Sequence, residues 1–288
     1  MEYTLQTLED LGEDQIDLAV WMINENFLNL VHTCRHCHSE VNLERFSGYT
    51  DGVVWRCTRH VCRWYLSVRE NSFFANSHFS LRDQMKLIIS FAADSTAKST
   101  ALLLGISRQA VVNYFIACRR NYQQAILADP IVFNAGGEYE SDECLIADVN
   151  VGNNVRVDIW VQSIAERATG QIYLTRVVDR SGASLVPNIT TLVPAGNYVF
   201  TDDWASYRIL PHHGYVHRTV NHSAGEYQRE ETIGGVRRNI HNNTCEGVNS
   251  LVRRRLAYRS RRTLDYLDLI LSEIVYRMSG RSLFDPFK

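Results

Sequence analysis

An α/β fold is predicted by the order of hydrophobic patterns in the second half of this chain. From residue 139 three strand-like runs, "ECLIADVN", "VRVDIWVQSI" and "GQIYLTRVV", follow one another with short polar breaks. A helix near "SLVPNITTLV" comes next, then the strand "NYVFTDDW", a helix, the short strand "YVHRTVNH" and a helical C-terminus. Three strands, a helix, a strand, a helix, a strand and closing helices make an α/β layout.

Length and charge bound the possibilities. A chain of 288 residues, 45% of them hydrophobic, can bury a substantial core and is long enough for two or three domains. Its net charge is only −2, but the charge is unevenly spread. Residues 1–30 hold seven acids and no Lys or Arg, whereas residues 236–262 hold eight Arg and one acid. That asymmetry points to an anionic partner at the basic end. No apolar run approaches the roughly 20 residues needed to span a bilayer, so no membrane partner is expected. The acidic N-terminus lacks the basic region of a secretory signal. Seven Cys without such a signal fit a reducing compartment, where clustered Cys bind metal more often than they form disulfides.

Residues 3–31 read as one or two helices carrying Leu18, Trp21, Met22, Phe27 and Leu28. Residues 32–66 read as short strands and turns rich in Cys and His. Cys34 and Cys37 form a C-x2-C pair and, with nineteen residues between, Cys57 and Cys62 form a C-x4-C pair. Four thiolates in two close pairs suit the closed tetrahedral geometry of a structural Zn2+ site, a zinc ribbon. His36, His38 and His60 lie near enough to replace a Cys, His60 for Cys62 first among them. Cys118, Cys144 and Cys245 have no partner spacing and read as packing residues.

Residues 80–127 read as helical. Within them "STAKSTALLLGISRQAVVNYFIACRR" reads as a helix-turn-helix. Ala97, Ala101 and Leu102 lie on the first helix, Gly105 allows the tight turn, and Ser107 can cap the second helix. Arg108, Gln109 and Asn113 then fall on the exposed start of a recognition helix, where major-groove contacts are made. A plain helical hairpin would share this pattern; the neighbouring zinc ribbon and the basic C-terminal segment favour DNA contact.

Three acids sit where chemistry can use them. Asp142 lies near the start of the first strand, Asp202 ends a later strand, and Glu246 opens a closing helix among Arg253, Arg254 and Arg255. Adjacent strands and a helix across one end can bring three carboxylates together. Such a cluster is costly unless divalent cations neutralise it, and hard oxygen ligands favour Mg2+ or Mn2+. Two such ions activate an attacking oxygen and stabilise a leaving oxygen on phosphorus. The arginines would then hold phosphates while Glu246 holds metal. Glu143 and Asp203 are adjacent acids, and either is an alternative ligand.

The runs "GEYESDECLI", "VVDRSGASLVPNITTLVPAGNYVFTDDWASY", "GYVHRTVNHS" and "NNTCEGVNSLVRRRL" resemble the DDE transposases of the Merlin superfamily and its bacterial insertion-sequence relatives. The resemblance extends upstream through "WRCTRHVCRWYLSVRENSFFANSHFSL" and covers roughly residues 32–280. It implies an RNase-H-like catalytic domain of the ISXO type, with Asp142, Asp202 and Glu246 at its acidic positions. Asn243 matches the Asn of the relatives' "TN" element, and Arg253 stands where they usually carry a Lys. Arg keeps the charge but is not interchangeable with Lys. His222 and His241 read first as structural histidines, with proton transfer or DNA orientation as the alternative for each.

The expected organisation is therefore an N-terminal helix plus zinc ribbon over residues 1–70, a helix-turn-helix domain over 71–130 and the catalytic domain over 131–288. The implied activity is binding of terminal inverted repeats, followed by metal-dependent strand cleavage and strand transfer into target DNA. A homodimer or higher oligomer on DNA is expected, in the nucleus if the source is eukaryotic and in the cytoplasm if it is bacterial. The competing expectation is a domesticated DNA-binding protein without catalysis.

Overall fold

Two capping residues divide the N-terminal helical segment. Thr4 caps α1 (Leu5–Asp10) and Asp14 caps α2 (Gln15–Asn24), each side chain accepting backbone N–H bonds from the first turn. The computed structural model describes residues 2–153, 155–257 and 263–288. The chain divides into two compact units, Met1–Asn121 with Ser282–Lys288, and Tyr122–Arg281. Among the described residues no helix is long and apolar enough to cross a membrane.

In the first unit α2 buries Leu18, Ala19 and Met22. Next comes an antiparallel sheet of β1 (Val41–Arg45), β2 (Val53–Cys57) and β3 (Tyr65–Ser67). Asp51 and Arg69 form a buried ion pair behind it. Asp51 also accepts the Leu81 N–H at 3.0 Å, while Arg69 donates to the Ser77 and Phe79 carbonyls at 2.8 and 2.7 Å. Every polar atom so buried needs such partners, and the set ties the sheet to the start of α3 (Leu81–Ala92). Helices α4 (Ala97–Leu104) and α5 (Arg108–Ala128) follow. Gly105 between them has φ +65°, a left-handed conformation that a Cβ would disfavour. The Ser107 hydroxyl accepts the Ala110 N–H at 3.2 Å and starts α5.

The second unit is built on a five-stranded mixed sheet, so the expected α/β class is observed. β4 (Glu138–Gly152), β5 (Val155–Glu166) and β6 (Ile172–Val177) are antiparallel neighbours. β7 (Tyr198–Asp202) lies parallel to β4, and β8 (Val216–Val220) lies parallel to β7, giving the order β6-β5-β4-β7-β8. α6 (Gly182–Leu192) connects β6 to β7, and a 3-10 segment at Ala205–His213 connects β7 to β8.

Alternation along β4 assigns the two faces of this sheet. Ser141 and Glu143 meet Tyr207 of the 3-10 segment. Glu140 and Asp142 meet α7 (Asn243–Arg255) on the opposite face. α8 (Leu264–Met278) contributes Leu267, Ile270 and Ile274 to a core shared with Val248 and Val252 of α7 and Leu185 and Ile189 of α6. Each such side chain, fully buried, contributes about 1.5–3 kcal/mol.

One element was not expected from the sequence. Between β8 and α7 the chain forms a hairpin of β9 (Arg229–Ile233) and β10 (Val236–Ile240). Gly234 and Gly235, with φ +59° and +82°, make its two-residue turn. Ile233 and Ile240 pack against Phe200 and Val220.

Candidate active site

The parallel pairing of β4 and β7 aligns Tyr139 with Val199 and Glu140 with Phe200. Continued by two residues, that register sets Asp142 beside Asp202 at the end of β7. The third acid arrives on α7, whose N-terminus is held by Glu140, a fully buried carboxylate. Glu140 accepts the Thr244 and Cys245 N–H groups at 2.7 and 3.1 Å and the Thr244 hydroxyl at 3.0 Å. A carboxylate at a helix N-terminus satisfies unpaired donors and complements the helix dipole. Arg167 donates to Glu140 at 2.7 Å, and His241 Nδ1 lies 3.1 Å from it. Burial and the neighbouring Arg167 hold the His241 imidazole below its ordinary range.

With α7 so anchored, Asn249 Nδ2 donates to Asp142 Oδ2 at 2.9 Å. Glu246, one turn earlier on the helix, is half-exposed and lies 3.2 Å from His222 Nδ1. Burial first, and then the charges of Asp202 and Glu246, raise Asp142 to about 6. Asp202 and Glu246 thus lie near enough to act on the Asp142 carboxyl, but among the described residues the three acids do not gather their oxygens into a ready-made metal group.

The adjacent acids take other directions. Asp203 faces Asn221, 3.4 Å away, and Arg208, 3.9 Å away. Glu143 lies buried on the α6 face, accepting the Tyr207 hydroxyl and Arg180. Burial pushes its carboxyl up to about 8 against the opposing pull of Arg180. Arg180 also reaches Asp202, so Glu143 is joined to the site through that guanidinium.

The donor chemistry suits a hard divalent cation. Beside Asp142 stands the Asn249 amide oxygen, a buried atom with no hydrogen-bond partner among the described residues. Asp142, Asp202 and Glu246 are the residues that would hold such an ion.

A second ligand set lies in the first unit. Among the described residues, Cys34, Cys37, Cys57 and Cys62 form the one group of three or more potential ligands with all donor atoms within 4.8 Å of one another. Cys34 Sγ lies 3.6 Å from Cys62 Sγ, and Cys37 Sγ lies 3.4 Å from Cys57 Sγ. Four sulfurs about 2.3 Å from a tetrahedral zinc stand roughly 3.8 Å apart, so this cluster can hold one. The His36 and Arg59 N–H groups donate to Cys34 and Cys57 Sγ, each at 3.4 Å, and so orient both pairs. Cys62, not His60, completes the group.

Arg108, Gln109 and Asn113 are exposed on the first turns of α5, with Gln109 Nε2 donating to Asn113 Oδ1 at 2.8 Å. Asn243, Arg253 and Arg254 are exposed on α7. Arg255 turns toward α8, 3.5 Å from the buried Glu273. Residues 258–262 of the basic stretch lie outside the described residues. Sequence reasoning gave no role to Glu140, Arg167, Arg180 or Asn249, although Glu140, Arg180 and Asn249 stand inside the runs that carry the resemblance.

Residues 149–279 match the model of a family described as an ISXO2-like transposase domain. The match takes in Asp202 and Glu246 and begins after Asp142. No curated protein matches the chain. Among solved structures, the chain is similar to one titled "CryoEM structure of simian T-cell lymphotropic virus intasome in complex with PP2A regulatory subunit B56 gamma", at 14% identity over 65% of this chain with a TM-score of 0.31. The alignment spans 66% of that chain, just under two thirds of its length.

Proposed function

We propose that this chain, which carries an ISXO2-like transposase domain over residues 149–279, is a DDE transposase that cuts and joins DNA with Asp142, Asp202 and Glu246. The observation that carries this reading is the parallel β4–β7 register, which carried two residues past the Glu140–Phe200 pair brings Asp142 level with Asp202, while the Asn249–Asp142 bond holds α7, and Glu246 with it, against β4. The order β6-β5-β4-β7-β8, antiparallel on one side of β4 and parallel on the other, fits an RNase-H-like domain.

Mg2+ or Mn2+ bound by the three acids would supply charge stabilisation of the attacking and leaving oxygens on phosphorus. The chain's own residues orient that site. Glu140 fixes α7, Asn249 fixes Asp142, and the exposed Arg253 and Arg254, two turns beyond Glu246 on α7, would meet phosphates. The four-cysteine cluster, read as a zinc ribbon, and α4–α5, read as a helix-turn-helix, would read the ends of the element. Arg108, Gln109 and Asn113 would face bases there.

The test is a supercoiled donor plasmid carrying the encoding gene with its flanking DNA, including any terminal inverted repeats there, incubated with the protein and Mg2+ or Mn2+. Cleavage at the repeat ends and strand transfer are expected. Tight repeat binding with no cleavage in either metal would contradict the enzymatic reading.

A further inference from the structure

Arg180 occupies an unusual position beside the acidic site. It lies between β6 and α6, where its carbonyl oxygen accepts Trp204 Nε1 at 2.8 Å and Ser206 Oγ at 2.6 Å. Those bonds fix its backbone whatever its side chain does. The guanidinium lies 4.1 Å from the centre of the Trp204 ring and 5.1 Å from that of Trp160. One side of it is anchored on Glu143, with Nε and Nη2 at 2.9 and 2.8 Å from Oε2. The other side touches Asp202, with Nη2 3.2 Å from Oδ2.

The two contacts are unequal. The Glu143 side chain is fully buried and is also held by the Tyr207 hydroxyl, whereas the Asp202 side chain is 26% exposed. A buried contact with two hydrogen bonds resists exchange; a single, longer, solvent-facing one does not. Asp202 is also the carboxylate that a divalent cation would need.

We propose that Arg180 is a built-in stand-in cation: anchored on Glu143, it neutralises Asp202 in the metal-free site and gives up that carboxylate when a divalent cation binds. It is a positioning residue, acting through Asp202, and it sets how readily the site loads. This rests on the reading of Asp202 as a metal ligand. It also gives Glu143 a role, as the holder to which the guanidinium stays attached when Asp202 is released.

The test uses the full chain and Mg2+ alone, followed by calorimetry and by tryptophan emission. In wild type, Mg2+ binding should change the emission saturably, because the guanidinium shifts over Trp204. Arg180→Gln removes the competitor, so Mg2+ should bind about two- to fivefold more tightly, the range expected for a partly exposed ion pair. The emission change should then be largely lost. Arg180→Lys keeps the charge and should stay near wild type in affinity, while Asp202→Asn should lose the binding.

Equal or weaker Mg2+ binding by Arg180→Gln, with Asp202→Asn still deficient, would overturn the inference and leave the metal-ligand reading intact. No Mg2+ binding by wild type, or unchanged binding by Asp202→Asn, would overturn both. Should Arg180→Gln fail to fold, wild type decides: calorimetric Mg2+ binding without an emission change overturns the exchange.

Discussion

Asn249 on α7 donates a 2.9 Å hydrogen bond to Asp142 on β4, so one side chain ties the helix carrying Glu246 to the strand carrying the first acid. Its amide oxygen is buried and has no partner among the described residues. Asn249→Ala should therefore lower cleavage by about 10- to 100-fold, the usual cost of removing a group that orients a metal-ligating carboxylate. The loss of folding stability should stay near 1–2 kcal/mol. Single-turnover cleavage compared with urea denaturation checks both figures. A stability loss without an added loss of rate in the folded fraction would make Asn249 a packing residue only.

The cysteine cluster predicts about one zinc per chain in purified protein. Cys57→Ser should release it and unfold the region around β1–β3, because metal binding at such a site supplies folding free energy. Elemental analysis and amide exchange over residues 32–66 report the two effects. A metal-free protein with this region well protected would contradict the site.

His217, 2.9 Å from the Thr201 hydroxyl, gives a pH dependence. Burial, with Arg218 adding to it, lowers its imidazole to about 4 from 6.5. The folded state thus binds fewer protons than the unfolded state between those values. The stability contributed by neutral His217 is complete above pH 6.5 and is lost as the pH falls toward 4. Between pH 7 and 5 the loss should be about 1–2 kcal/mol. His217→Gln should flatten that part of the urea-midpoint profile; an unchanged profile would assign the dependence to other groups.

How much of this was legible in the sequence varies with the kind of signal. The cysteines announce themselves by spacing, and the strand order β4 to β8 by alternation and turn residues. Asp202 ends β7 and Glu246 lies in the first turn of α7, as the pattern suggested, whereas Asp142 stands inside β4, which begins four residues earlier at Glu138. The β9–β10 hairpin was not read because its strands are mostly polar on both faces, with Ile233 and Ile240 as the main apolar anchors. Its Gly234–Gly235 turn was the available signal. Glu140, Asn249 and Arg180 act through contacts between elements distant in sequence, and no local pattern encodes which strand a helix will meet. Alternation puts Glu143 and Asp142 on opposite faces of β4. It could not show that Arg180 would join Glu143 back to Asp202 across the end of the sheet.

The central claim is that the aligned acids perform the chemistry, and single amide substitutions test it most directly. Asp142→Asn, Asp202→Asn and Glu246→Gln keep the side-chain shape but remove the charge on which a divalent cation depends. In the supercoiled-donor assay with Mg2+ or Mn2+, each should abolish cleavage and joining while repeat binding persists. Asp203→Asn is the control: its side chain faces Asn221 and Arg208, and it should retain most activity. Full activity in any one of the three, or loss in Asp203→Asn matching theirs, would contradict the account.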